Sequence, residues 1–146
     1  MSSKTFKCQV LVGGDASGEA LFFQQAFTFA RAVDPRTGLV ADLRSEMAGA
    51  SIRGKVLFYR RGKGSTAGSS CLVETIRLGN GPAAVVTESP DIAAVVGSSV
   101  AGILYGRNIP VFSGVDARVF ANAKMKTKAR SIASVKGGSA RVVLTG

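Results

Sequence analysis

The sequence predicts a mixed α/β fold in a single domain that spans residues 1–146. Three observations predict it: the length of 146 residues, a hydrophobic content of 46%, and a central run of alternating strand-like and helix-like segments. One domain is the expectation at this length, and such a chain has enough apolar residues for a real core. Because a strand–helix–strand order needs a crossover connection, part of the sheet should be parallel. The first third and the tail are predicted to be β-rich and locally connected, which favours a β/β/α domain over a symmetric doubly wound sheet.

The first third of the chain contains two predicted strands, at 8–12 and 19–23, which are separated by a predicted glycine-rich turn at 13–18. A tight turn is predicted at 34–38, because proline presets its second position and glycine closes it. Residues 39–43 then form a short extended piece.

The centre begins with a strand at 55–60, rich in β-branched and aromatic residues, followed by a glycine-rich loop at 62–68. A helix is predicted over 69–78, with Gly79 as its stop signal. Three of its residues are expected to face inward: Leu72, Val73 and Ile76.

An apolar strand is predicted at 83–87, and Ser-Pro-Asp at 89–91 indicates the start of a helix that runs to about Tyr105. This helix is interpreted as a tightly packed core helix. Its buried stripe is expected to comprise Ala93, Val96, Val100 and Leu104. The remaining predicted elements are a strand at 109–112, a short helix at about 115–123, and strands at 127–135 and 139–144 around Lys136-Gly137-Gly138.

The net charge of +10 is concentrated near the C-terminus, since residues 118–146 contain seven basic and no acidic residues. One interpretation is a solvated or subunit-facing surface within the same domain. The other is a docking surface for an acidic protein or a nucleic acid. Base-stacking aromatics are nearly absent there, with Phe120 alone, which argues against single-strand binding.

The composition excludes several classes of site. With no histidine there is no Ser-His-Asp triad and no histidine base, and two cysteines cannot alone hold a closed four-ligand metal or iron–sulfur site.

No apolar signal segment precedes the first strand, and the longest apolar run, at 92–104, is shorter than the ~20 residues of a membrane span. We therefore expect a cytoplasmic protein with reduced thiols.

The loop at 62–70 (GKGSTAGSS) is the most informative segment. Its glycines let the backbone approach a ligand closely, and its hydroxyls lie near a helix N-terminus, where N–H groups and the dipole favour anions. A phosphate-binding P-loop fails on spacing, because Gly62-Lys63 is followed by glycine rather than serine or threonine.

Three interpretations of the loop remain open. Gly62, Gly64 and Ala67 match a dinucleotide fingerprint, with Glu88 ending the next strand, but a lone match is weak and the second half of such a fold is missing. Alternatively, Ser65 is a catalytic serine whose alkoxide, or a substrate carboxylate, is stabilised by surrounding N–H groups. The structural alternative is a glycine-rich turn capped by Ser69.

At this loop the sequence resembles the small subunit, or swivelling domain, of the aconitase X family of dehydratases. The resemblance covers roughly residues 8–115 and lies in the order and spacing of several motifs. They are Gly18-Glu19-Ala20-Leu21, Val33-Asp34-Pro35 with Thr37-Gly38, Gly54-Lys55-Val56-Leu57, Gly62-Lys63-Gly64-Ser65 with Gly68-Ser69, Gly81-Pro82-Ala83-Ala84-Val85 and Ala101-Gly102-Ile103. The fold it implies is a swivelling β/β/α domain like the mobile C-terminal domain of aconitases.

The resemblance implies that Ser65 is the catalytic base of a hydro-lyase, which dehydrates a hydroxy acid. It implies substrate contacts from Gly62, Lys63, Gly64, Thr66 and Ser69. It also implies a larger, aconitase-like partner subunit that holds the iron–sulfur cluster or iron, so that this chain binds no metal itself. Such a serine needs anion-stabilising N–H groups and a dry, closed site.

Departures from the family pattern bear on the substrate. Lys63 replaces the usual arginine, which exchanges a bidentate fork for a point charge. Arg44-Ser45-Glu46 replaces a His-Pro step, and Arg31-Ala32 replaces a glycine pair. The family's substrates are cis-3-hydroxy-L-proline, converted to 1-pyrroline-2-carboxylate, and mevalonate 5-phosphate. The departures favour the first, with the second and a non-catalytic anion- or nucleic-acid-binding module as alternatives.

The two cysteines are interpreted as structural. Cys71 is expected in the first turn of the loop's helix, where a thiol pKa is lowered, yet a buried thiol is the preferred interpretation. Cys8 is assigned to the core.

Overall fold

The seven strands of the described chain close into a barrel. The computed structural model describes residues 3–63, 66–122, 128–134 and 138–145. The strands are β1 (Ser3–Val12), β2 (Ala16–Phe23), β3 (Val56–Tyr59), β4 (Ala84–Thr87), β5 (Val111–Ser113), β6 (Lys128–Ser134) and β7 (Ser139–Thr145). Their spatial order is β1-β5-β4-β3-β2-β6-β7, and β7 pairs again with β1.

Parallel and antiparallel pairing divide the barrel into two parts. The pairs β2–β3, β3–β4 and β4–β5 are parallel, which confirms the predicted crossovers and the mixed α/β class. The remaining pairs are antiparallel and involve β1, β6 and β7. Long-range pairing corrects the expectation of local connections in the first third: β1 and β2 follow each other in the chain but are not neighbours in the sheet.

Side chains alternate between the two faces of each strand, and this alternation produces two hydrophobic cores. Side chains such as Phe22, Phe58 and Phe112 belong to a cluster with residues from both ends of the chain, which fills the barrel interior. The next residues along the strands, such as Leu57 and Tyr59, pack outward against the helices and the long connection between β2 and β3. Both β3 and β4 are therefore buried on both faces, as parallel strands covered by helices are.

Two helices cover the parallel part of the barrel. They are α1 (Thr66–Arg77) and α2 (Ile92–Tyr105), followed by a 3₁₀ helix at Ala117–Asn122. The helix α1 ends just before Gly79 as predicted, and there the N–H of Asn80 donates to the carbonyl of Thr75 and that of Gly79 to the carbonyl of Ile76. The start of α1 corrects the prediction, because the helix begins at Thr66, three residues before the predicted start, and so shortens the loop.

The buried face of α2 differs from the predicted stripe. The residues that face inward are Ala94, Gly97, Ser98 and Ala101. Val96 is 45% exposed and Leu104 is 62% exposed, so this part of the expected stripe lies on the outer face. Small residues face inward because α2 approaches α1 closely, and Ser98 hydrogen-bonds to both backbone groups of Ile109. The helix is therefore only half covered, and its outer face is apolar.

The C-terminal segment follows the prediction closely. The 3₁₀ helix lies within the predicted helix at 115–123, and β6 and β7 lie within one residue of the predicted strands. Lys136 and Gly137 of the predicted turn lie outside the described residues, as do Lys124 and Lys126 of the basic segment. Arg118 forms an ion pair with Asp116 at 2.9 Å, and Arg141 is exposed on β7.

Candidate functional site

One end of the barrel gathers the N-termini of both helices. The loop after β3 leads into α1 at Thr66, and the loop after β4 leads into α2, whose N-cap is Asp91. Because β3 and β4 are adjacent and parallel, their carboxyl ends and the two helix N-termini lie at the same edge. The carboxyl edge of parallel strands is where α/β folds bind ligands.

The described part of the β3–α1 loop is fixed by its backbone. The carbonyl of Arg61 accepts from the N–H of Phe27 at 3.0 Å, and the N–H of Lys63 donates to the carbonyl of Phe27 at 2.9 Å. The carbonyl of Arg60 accepts from Ser89 at 2.9 Å on the other side. The segment before residue 64 is therefore held between its two neighbouring connections.

Asp91 is a buried carboxylate under this loop, with an exposed fraction of 4%. One of its oxygens accepts a hydrogen bond of 2.6 Å from the hydroxyl of Tyr59. The other accepts from the N–H groups of Ala93 and Ala94, at 3.1 and 3.4 Å, in the usual N-cap arrangement. Burial, followed by the charge and hydrogen bond of Asp91, raises the pKa of Tyr59 well above its usual range. The tyrosine therefore stays neutral and acts as a donor.

Gly62 lies directly against this carboxylate. A Cβ atom at residue 62 would fall 2.5 Å from Cγ of Asp91 and 2.6 Å from both carboxylate oxygens. No side chain fits there without displacing Asp91. The same glycine that is predicted to let the backbone approach a ligand also lets the backbone approach the N-cap of α2.

The structure describes four of the six predicted site residues, while Gly64 and Ser65 lie outside the described residues. Position 65 immediately precedes the first residue of α1, where the helix dipole favours an anion. Thr66 is exposed at that helix start. The hydroxyl of Ser69 donates to the carbonyl of Ala93 at 2.8 Å and so links the two helices. Ser69 is the fourth residue of α1 rather than its cap, which removes the capping interpretation.

Lys63 points towards acidic residues of the β2–β3 connection. It lines a small cavity of about 30 Å³ together with Asp42, Ser45 and Glu46. The pKa of Asp42 is lowered mainly by hydrogen bonds from Arg44, with a smaller contribution from the charge of Lys63. The departures noted in the sequence at residues 44–46 and at residue 63 therefore lie next to each other in space.

Arg60 and Glu88 occupy the other side of the loop. Their side chains form an ion pair of 3.0 Å, and the Arg60 guanidinium lies 4.6 Å from the ring centroid of Phe120. Together with Arg61 and Gln24 they line a cavity of about 380 Å³ at the barrel edge. Because Glu88 is paired with Arg60, the carboxylate required by the dinucleotide interpretation is already engaged.

An apolar groove runs between the helices, starting at the same edge. Its volume is about 540 Å³. Four residues of each helix line it: Thr66, Ser69, Ser70 and Val73 of α1, and Ile92, Ala93, Val96 and Val100 of α2. Val73, which was expected to face the core, contributes to this groove instead. The groove thus begins one residue after position 65 and continues along the exposed face of α2.

The two thiols have surroundings that do not suit an iron–sulfur cluster. Cys8 lies in the barrel interior, and burial raises its pKa to about 11. Cys71 is in the second turn of α1, its Sγ donates to the carbonyl of Phe29 at 3.0 Å, and burial raises its pKa. The raised pKa values support the structural interpretation of both cysteines. Within the described ranges, no three His, Cys, Asp or Glu side chains are grouped as metal ligands.

The sequence reasoning missed the contact of Tyr59 and Asp91 with the loop. A signal was present: a tyrosine at the end of a buried strand, and a Ser-Pro-Asp helix start after the next strand. Helix prediction identified Asp91 only as a helix start. Its contact with Gly62 depends on which strands are neighbours.

Comparisons with known proteins agree with this fold. The sequence profile of the aconitase X swivel domain matches residues 5–144. The phosphomevalonate dehydratase small subunit of Thermococcus onnurineus is 38% identical over 110 residues, 75% of this chain and 80% of that protein. The cis-3-hydroxy-L-proline dehydratase of Pseudomonas aeruginosa is 39% identical over 103 residues, which are 70% of this chain but 18% of that protein. The crystal structure of Thermococcus kodakaraensis aconitase X in its holo-form superposes with a TM-score of 0.78 and 30% identity, and covers 95% of this chain and 98% of that chain.

The fold and the matched profile define a swivel domain of the aconitase type. The chain belongs to the aconitase X swivel-domain family, and its homologues are dehydratases and dehydratase subunits, which are hydro-lyases. None of the helices in the described ranges is long and apolar enough to cross a membrane.

Proposed function

We propose that this chain is the small, swivelling subunit of an aconitase X-type dehydratase and supplies Ser65 as the base. The observation that supports the proposal is the start of α1 at Thr66, at the barrel edge where two helix N-termini meet. In the sequence Ser65 is the residue before this helix start, within the motif that carries the family resemblance. A developing alkoxide or a substrate carboxylate is stabilised at such a helix start.

A larger, aconitase-like subunit is the proposed partner. Relatives named small subunits imply a large one, and in the Pseudomonas relative the matching region is a small part of one long chain. Since the proposed base lies in the sequence between this loop and α1, the large subunit that carries the substrate is proposed to approach the β3–α1 loop. The apolar groove that starts at Thr66 supports an approach from that side. The cytoplasm is the compartment we propose, with both thiols reduced.

The iron or iron–sulfur cluster is proposed to lie on that large subunit, because the two cysteines here are unsuitable ligands. For this chain the proposed steps are limited to its own residues. Ser65, as its alkoxide, would take the proton from the carbon next to the substrate carboxylate and become a neutral hydroxyl, and the start of α1 would stabilise the alkoxide before this transfer. The substrate hydroxyl would leave as water with the iron of the large subunit supplying Lewis-acid assistance. Substrate contacts are proposed for Gly62, Lys63, Gly64, Thr66 and Ser69. Ser69 would contact substrate through its oxygen, since its proton is donated to Ala93. Residues 1–146 would move as one unit.

Two substrates are candidates. The sequence departures at Lys63 and at residues 44–46, which are adjacent in space, favour cis-3-hydroxy-L-proline. The Pseudomonas relative, named a cis-3-hydroxy-L-proline dehydratase, also supports this substrate. Mevalonate 5-phosphate is the second candidate, supported by small-subunit relatives of similar length to this chain.

The test is a dehydratase assay of this chain mixed with its large subunit, run with each substrate separately. We expect dehydration of one substrate, and Ser65→Ala should lower kcat by at least ~10²-fold, the lower range for loss of a general base. Ser139→Ala is the matched control, because Ser139 is exposed at the start of β7, outside the loop and the groove. Full activity of Ser65→Ala in the complex would refute the role of the serine.

A further inference from the structure

Three groups from separate parts of the chain meet beneath the β3–α1 loop. Tyr59 ends β3, Gly62 lies in the loop, and Asp91 caps α2. Tyr59 is fully buried, and Asp91 is nearly so. The meeting point is three residues before position 65, so it lies at the base of the segment that carries the proposed catalytic serine.

The carboxylate of Asp91 is held in one place. Three donors fix it: the Tyr59 hydroxyl at 2.6 Å and two backbone N–H groups of α2 at 3.1 and 3.4 Å. Hydrogen bonds to an ionised carboxylate are roughly twice as strong as neutral ones, and a buried carboxylate that loses a donor is costly. Rotation of Asp91 away from this position is therefore unfavourable.

A fixed carboxylate in turn fixes the loop. The space for a side chain at residue 62 is occupied by the carboxyl group, so the backbone of Gly62 rests on Asp91. The hydrogen bonds of Phe27 hold the same stretch from the other side. The positions of Gly62 and Lys63 are consequently set by contacts with α2 and with the β2–β3 connection.

We propose that Tyr59 and Asp91 are positioning residues for the proposed base. Their hydrogen bond ties the end of β3 to the start of α2 and holds Gly62 in place, three residues before Ser65 in the sequence. This inference rests on the proposed function. It adds two side chains that touch neither substrate nor reacting atoms but determine where the serine lies.

The experiment compares Tyr59→Phe, Asp91→Asn and their double variant in the complex with the large subunit. Tyr59→Phe keeps the ring and removes the donor, while Asp91→Asn keeps an acceptor for the N–H groups of α2. Because a misplacement of about 1 Å can cost ~10²-fold, we expect each single variant to lower kcat ~10- to 100-fold with KM within about twofold. The double variant should be no worse than the poorer single variant, since Tyr59→Phe removes the donor and Asp91→Asn removes the charged acceptor of the same contact.

Ser98→Ala is the matched control. Ser98 is also fully buried on α2, and its hydroxyl bonds to Ile109 at 2.6 and 2.9 Å, but it lies two turns from Asp91. The Ser98→Ala variant should have a lower free energy of unfolding, as the other variants should, but its kcat should stay within about twofold of the wild type. If Tyr59→Phe and Asp91→Asn lower kcat no more than Ser98→Ala, at a temperature where all three are folded, the inference is wrong.

A second measurement separates this inference from the proposed function. Amide hydrogen exchange on the intact chain should show faster exchange at residues 62–68 in Tyr59→Phe and Asp91→Asn, and unchanged exchange there in Ser98→Ala. If the wild-type complex shows no dehydratase activity yet exchange increases as expected, the loop is still held by this pair and only the proposed function fails. Unchanged exchange at residues 62–68 in both variants would overturn the inference whatever the activity.

Discussion

At the scale of single residues, Cys8 shows how burial alone raises the pKa of a side chain. It lies inside the barrel, 5% exposed, and desolvation raises its pKa from 9.0 to about 11. The neutral thiol is favoured in the folded state, because an apolar interior penalises the thiolate. The residue thus behaves as a small apolar side chain below this pH.

We predict that Cys8 makes the fold sensitive to alkaline pH. Above pH 9 the unfolded thiol loses its proton while the folded thiol keeps it, so stability is fully present below pH 9 and is lost as the pH rises towards 11. The two-unit difference corresponds to roughly 2–3 kcal/mol.

Urea unfolding at pH 8 and pH 11 measures this effect. Wild type should lose roughly 2–3 kcal/mol more than Cys8→Ala between the two pH values. Equal losses in both proteins would show that the buried thiol does not titrate as stated.

The site was predictable at residue scale only where the signal was local. Glycines and hydroxyls at 62–70 identified the loop, and Ser-Pro-Asp identified the start of α2. The contact of Asp91 with Tyr59 and Gly62 was not predictable, because it joins positions up to 32 residues apart through the adjacency of β3 and β4.

At the scale of elements, α1 and α2 are packed closely enough to require a glycine. A Cβ atom at Gly97 would lie 3.0 Å from the carbonyl oxygen of Ser69 and 3.0 Å from Cδ2 of Leu72. The backbone oxygen cannot move aside as a flexible side chain can. The close approach also explains the Ser69 hydrogen bond to Ala93.

Gly97→Ala should therefore destabilise the protein despite the higher helix propensity of alanine. Overpacking costs about 1–3 kcal/mol and the propensity gain is about 1 kcal/mol, so we expect a net loss of up to about 2 kcal/mol in urea unfolding. Ser99→Ala, at an exposed position of the same helix, should stay within about 0.5 kcal/mol of wild type. A Gly97→Ala protein as stable as Ser99→Ala would contradict the packing described.

The helix pattern misled the sequence prediction for α2 because nearly every residue there is apolar or small. With no polar face to mark the outside, the larger side chains Val96 and Leu104 were assigned inward. Close helix packing reverses this assignment, because small residues such as Ala94 and Ala101 allow the contact. The strands of the C-terminal segment were easier to predict, since the alternation of apolar and polar residues and a glycine turn are local signals.

At the scale of the whole molecule, the outer face of α2 is an exposed apolar surface. Ile103 is 83% exposed and Ile92 is 66% exposed, on a helix with no charged residue from Ile92 to Tyr105. Contiguous exposed apolar surface of this kind marks an interaction site. The proposed large subunit accounts for it.

Val96→Lys should weaken the association with the large subunit at least ~10-fold without loss of fold, because Val96 lies in the groove and is 45% exposed. Isothermal titration calorimetry with the separately prepared subunits measures the change in Kd. Leu78→Lys is the control, at a similarly exposed residue (39%) just past the opposite end of α1. An equal Kd for the two variants would argue against this face.

Barrel closure could not have been predicted from local patterns. It depends on β1 pairing with β7, in a register that joins Ser3 to Thr145 across nearly the whole chain. Neither strand has a sequence feature that identifies its partner strand. Such non-local pairing is specified only by the packing of the barrel interior. The parallel crossovers, by contrast, followed from element order.

The pairing of β1 with β7 also places the two ends of the described chain side by side. Thr145 and Ser3 face the same direction as the carboxyl ends of β2 to β5, where the β3–α1 loop lies. A peptide linker that continued from either Ser3 or Thr145 would thus depart from the rim that carries the β3–α1 loop. The relatives include both small-subunit chains and one long chain, and a fusion of either order would put the connection on this rim.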